Sequence, residues 1–166
     1  HTREAAWIGI DVFSDQFDDV IYPEVTGLFG GVSDLDSNQR IVILFTPAVN
    51  ALTDRGDTGF IAGFFYGVDL MSGSPGSNEG EIFYSVVPDP TGQVSDPRSK
   101  EDLLEVTPAI LAHEFQHMVG YNERVLIRGG EPRDATWLSE GLAQYAEVLV
   151  ARRYAELGDG GAEEIF

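Results

Sequence analysis

The chain has 166 residues, 43% of them apolar, which suits one globular domain with a core that needs no disulfide staples. Its 28 acidic residues against 10 basic ones give a net charge of −18, a field that repels phosphate backbones and anionic lipid and argues against nucleic acid as a partner. Cysteine is absent, which removes disulfides, thiolate metal sites and thiol nucleophiles together, and the longest clean apolar run, Ile41 to Phe45, is far short of the roughly 20 residues that cross a bilayer.

In chain order, residues 7–13 alternate enough to read as a strand. From Ser14 to Phe29 the apolar positions Phe17, Val20, Ile21, Val25, Leu28 and Phe29 recur at helical spacing; Pro23 predicts a kink or a restart, and Gly30-Gly31 a stop. A polar turn at 34–39 feeds Ile41–Phe45, which reads as a buried strand. Further strands are expected within 60–70 and 81–88, and 88–100 is a Pro/Asp/Ser-rich connector. Beyond it the chain turns helical. Thr107-Pro108 suggests the start of one helix and Gly120 its end, and a second helix is expected from about Asp134 to Leu157, stopped by Gly158.

The first of these helices carries His113-Glu114-Phe115-Gln116-His117. Residues four apart lie one above the other on a helix, so the imidazoles share a face and can share a metal. Glu114, about 100° around the helix from His113, flanks that metal on its open side. These are two of only three His in the chain, and the third is at its first position. A catalytic zinc needs a third protein ligand and keeps a position for water. Without Cys the ligand should be a carboxylate, with Glu123, Glu131, Asp134, Glu140 and Glu147 as candidates. Glu123 is too close to His117 to fold back easily, whereas an antiparallel second helix would bring Glu140 over the His pair, with Gly141 beside it to allow a close approach. Glu140 is therefore the preferred third ligand.

HEFQH followed by Trp137-Leu138-Ser139-Glu140-Gly141-Leu142-Ala143 and Tyr145-Ala146-Glu147 resembles the gluzincin metallopeptidases. More specifically, Ile21-Tyr22-Pro23, Leu28-Phe29-Gly30, Gly63-Phe64-Phe65 and Ser77-Asn78-Glu79, taken with HEFQHM, resemble the hyicolysin-like bacterial zinc peptidases. The resemblance implies His113, His117 and Glu140 as zinc ligands and Glu114 as the base. The family's aminopeptidase branch carries an upstream GxMEN segment that is missing here, which favours internal cleavage. At the place of the carboxylate that orients a His in thermolysin the chain has Gln144, so Glu147 is the better candidate for that task. Relatives use a His or Tyr beyond the zinc Glu as the oxyanion donor. The donor here is sought among Tyr121, Tyr145, Tyr154, Arg124 and Arg128, or beyond Phe166, and the last is the expectation.

The expected fold is α+β: a zincin-like lobe in which a small, twisted, mixed sheet packs on the HExxH helix, with a second zinc-ligand helix opposite. One catalytic domain over 1–166 is expected, β-rich with an N-terminal helix over 1–100 and helical over 101–166, excised from a longer chain. The expected function is zinc-dependent endopeptidase, hydrolysing peptide bonds through a metal-bound water activated by Glu114, in a secreted or cell-envelope bacterial protein acting on protein or peptide. The rivals are a zinc hydrolase on a non-peptide or formyl substrate, and a zincin-like binding or adhesion module. Calcium is a second candidate cation, since Asp34-x-Asp36-x-Asn38 resembles the start of a calcium loop; Gln39 at its sixth position and Phe45 at its twelfth break the EF-hand pattern. Either 60–70 or 81–88 is expected to offer a sheet edge to extended peptide.

Overall fold

The computed structural model describes residues 12–132 and 135–158. Most of the expected 7–13 strand lies outside them, but Val12 and Phe13 are helical. Phe13, Phe17, Val20 and Ile21 are all buried, and their spacing belongs to one helical face, which overrides the short alternation before it. The helix passes through a π-turn, Phe17–Ile21, in which the Tyr22 N–H reaches back five residues to Phe17 O. It continues as α1, Tyr22–Phe29, with Pro23 in its first turn. The wider turn lies where a proline ring would otherwise crowd the carbonyl four residues back. Gly30 ends α1 at φ 117°, and a Cβ there would meet the Glu123 carboxylate at 2.4 Å, so only glycine fits.

The sheet has three strands, β1 (Val42–Phe45), β2 (Gly63–Phe65) and β3 (Ile82–Ser85), in the order β1-β3-β2. β1 runs parallel to β3, with Val42 opposite Ile82, and β2 antiparallel to it, with Phe64 opposite Tyr84. Phe83 and Ser85 on the central strand are fully buried. β1 is not the buried strand expected at Ile41–Phe45: Val42 and Leu44 are 42% and 44% exposed, because an edge strand covered on one face leaves alternate residues outside. A short helix α2, Pro47–Asn50, follows β1. The 60–70 stretch yields only β2 and then a 3₁₀ turn, Gly67–Leu70. There Asp69, fully buried, accepts the Asn78 N–H at 2.8 Å and the Tyr84 hydroxyl at 2.6 Å, and these bonds bend the chain out of the sheet.

The long helix α3, Lys100–Tyr121, starts a full two turns before Thr107-Pro108. Ser99 and Asp102 form a reciprocal capping box, each side chain accepting the other's backbone N–H, and this local signal prevails over the proline. Pro108 sits inside the helix. Gly120 does not stop it either, since the chain runs on into a π-turn, Asn122–Ile127. α4, Thr136–Leu157, ends at Gly158 in the left-handed region as expected. α3 packs against α4, α1 and β2. Its Leu111, Phe115, Met118 and Val119 are fully buried with Ile21, Val25, Phe83, Ala146 and Val150 in one core. The architecture is the α+β lobe expected, with a small mixed sheet on one side of α3 and α4 on another. Among the described residues no helix is long and apolar enough to cross a membrane.

Candidate metal centre

α3 and α4 meet in opposite senses: His113 contacts Glu147, and His117, one turn further along α3, contacts Ser139 and Glu140. The two imidazoles lie edge to face with ring centres 4.8 Å apart. Both present Nε2 to the same carboxylate, His113 at 3.2 Å from Glu140 Oε2 and His117 at 3.7 Å from Glu140 Oε1. One donor atom from each of His113, His117 and Glu140 lies within 4.8 Å of the other two. Two imidazole nitrogens and a carboxylate oxygen are a donor set suited to catalytic zinc.

The other ring nitrogens are held as well. His113 Nδ1 lies 2.6 Å from Glu147 Oε1, and His117 Nδ1 lies 3.2 Å from the Ser139 hydroxyl. A carboxylate accepting from Nδ1–H favours the tautomer of neutral His113 whose Nε2 lone pair lies on the Glu140 side. That bond also pushes the His113 pKa up, against the effect of burial, while burial pushes His117 down, helped by the neighbouring His113.

Glu114 Oε2 accepts the Phe65 N–H at 2.9 Å, which ties the carboxylate to β2. β2 comes this close because Gly63 has no side chain: a Cβ there would sit 3.0 Å from Ile110 of α3. Burial pushes the Glu114 pKa up, partly offset by His113 and by the Phe65 bond. A cleft of about 910 Å³ opens over these groups, lined by Phe64, Phe65, Tyr121, Arg124, Leu138 and Leu142 among others.

The remaining candidates are dispersed. Glu123 accepts the Gly31 N–H and pairs with Arg128, and Glu131 is exposed in the loop. Asp134 lies outside the described residues. Gln144 is exposed, and neither imidazole pairs with it. Tyr154 is 5% exposed within the core, and Tyr145 packs edge-on against Phe29. Of the sought oxyanion donors, Tyr121 and Arg124 line the cleft; Tyr121 packs against Phe65, and Arg124 donates to the carbonyls of Glu131 and Pro132. β3 is paired on both sides, so it offers no free edge at 82–85, whereas β2 is an outer strand beside the cleft. Sequence reasoning missed two groups: Ser139, whose only signal is its place next to Glu140, and the Phe65 N–H, a backbone donor that leaves no mark in sequence.

No protein-family description matches the chain. It is 30% identical over 139 residues to the neutral metalloprotease ShpI of Staphylococcus hyicus, an overlap covering 84% of this chain and 30% of that protein. The chain thus spans under a third of its relative, and the similarity supports a metallopeptidase relationship.

Proposed function

We propose that this chain is the zinc-holding lobe of a bacterial endopeptidase of the gluzincin type, hyicolysin-like, in which His113, His117 and Glu140 hold the metal and Glu114 is the general base. The observation that carries the reading is the convergence of both imidazole Nε2 atoms on the Glu140 carboxylate, with Glu114 fastened beside them. Zinc, when bound, supplies a Lewis acid that acidifies water and polarises a carbonyl. Glu114 has one oxygen committed to the Phe65 N–H, which fixes its orientation. Its other oxygen takes a proton from the attacking water and returns it to the leaving amine. Burial raises its affinity for that proton, which favours its uptake from the water in the first half of the transfer.

Glu147 and Ser139 hold the two imidazoles so that ligation costs little reordering. An extended peptide lies along β2, the outer strand beside the cleft, with its scissile carbonyl over the centre. Tyr121 is the oxyanion donor in this lobe; burial pushes its pKa up, so the phenol keeps its proton in neutral solution. The similarity to a neutral metalloprotease supports a protein or peptide substrate, and an exported, extracellular or cell-envelope setting belongs to the same proposal.

The ligand set is tested by zinc affinity, read by competition with a chromophoric chelator. Glu140→Ala should weaken binding by more than the roughly 10- to 100-fold typical of losing an outer hydrogen-bond partner. Unchanged affinity would remove Glu140 from the centre.

A further inference from the structure

The loop joining α1 to β1 carries Asp34 and Asp36, both exposed. One carboxylate oxygen from each, and one from Glu81, lie within 4.8 Å of one another. Glu81 immediately precedes β3 and is 2% exposed. Its Oε1 accepts the Leu35 N–H at 3.0 Å, which turns the carboxylate toward the loop, while its Oε2 is buried with no hydrogen-bond partner. Among the described residues no basic side chain forms an ion pair with Asp34, Asp36 or Glu81.

A carboxylate oxygen stripped of water and left alone is costly, and buried charges in folded proteins are paired or bound to metal. Three carboxylates without nitrogen or sulfur donors are a hard, oxygen-only set that selects calcium or magnesium over zinc. Calcium accepts about 6–8 oxygens in irregular geometry, so loop carbonyls and water can complete the shell; magnesium demands a near-regular octahedron. Asp36 is already steadied by the Asn38 N–H and side-chain amide, and Asp34 by the Gln39 N–H, which leaves lone pairs on both for a cation.

We propose that Asp34, Asp36 and Glu81 form a calcium site that shares no residue with the zinc centre and ties the 34–39 loop to the start of β3. The EF-hand pattern fails here because the ligand it seeks at the end of the loop comes instead from Glu81.

The test is calorimetric titration of the zinc-loaded protein, in calcium-free buffer, with CaCl2 and separately with MgCl2. The expected result is one calcium site with Kd at or below the range of about 10⁻⁴–10⁻³ M, weaker for magnesium, and weakened at least about tenfold in Asp36→Asn. Asp36 is exposed, so this variant should fold normally. CaCl2 should also raise the Tm of the wild type by a few degrees and leave that of Glu81→Gln unmoved. No calcium binding at concentrations about ten times that range, or the same Kd in Asp36→Asn, would overturn the site. An equal Tm rise in Glu81→Gln would do the same.

Discussion

His113 and His117 each spend one ring nitrogen on a neighbour from α4, and this division explains why both Nε2 atoms face one way. The two neighbours are unequal, since Glu147 offers a carboxylate at 2.6 Å whereas Ser139 offers a hydroxyl at 3.2 Å. Glu147→Gln should therefore weaken zinc binding by about 10- to 100-fold with the fold intact, and Ser139→Ala by clearly less. Chelator competition on the two variants checks this; an effect of Ser139→Ala equal to that of Glu147→Gln would contradict it. The pairing of His113 with His117 is legible in the sequence because helical geometry alone puts positions four apart on one face. Glu147 is legible too, as a carboxylate two turns past Glu140. The Phe65 N–H is not, because it depends on how closely β2 approaches α3.

Among the elements, α3 shows where local signals compete. Thr107-Pro108 has the chemistry of a helix start, but a capping box begun by Ser99, eight residues before Thr107, satisfies two orphan N–H groups, and the helix tolerates Pro108 in its interior. Asp89 performs a similar service in the connector, accepting the Gln93 and Val94 N–H groups at 2.7 Å each. The backbone bond from Val94 leads in holding the Asp89 pKa below the usual carboxylate range, and that from Ser99 leads for Asp102. A depressed carboxylate contributes stability that is fully present above its unfolded pKa, near 4, and is lost as pH falls through its folded value. Urea midpoints should thus drop as pH is lowered from about 5 to about 3, and the Asp89→Asn/Asp102→Asn double variant should lose less over that interval. Equal losses in the two proteins would show that these carboxylates do not set acid stability.

For the whole molecule, the α+β class was legible from the change at the connector, strand-like runs before it and helical periodicity after it. The strand order was not. A parallel β1-β3 pair with β2 on the outside depends on contacts between segments 40 residues apart in register, Val42 with Ile82, which no local pattern encodes. The same long-range closure brings Glu81 to the 34–39 loop and β2 to Glu114. Local spacing fixes what each element can offer, and the sheet and helix packing decide which offers meet.

We propose that the His113–His117–Glu140 cluster is a working peptidase centre with Glu114 as its base. Cleavage of an unfolded protein by the zinc-loaded chain, measured beside Glu114→Ala at equal zinc content, tests it most directly. The expected result is peptide-bond cleavage by the parent and a loss of about 10²- to 10⁴-fold or more in the variant with zinc retained. Equal cleavage by the two proteins, or none by the zinc-loaded parent, would rule it out.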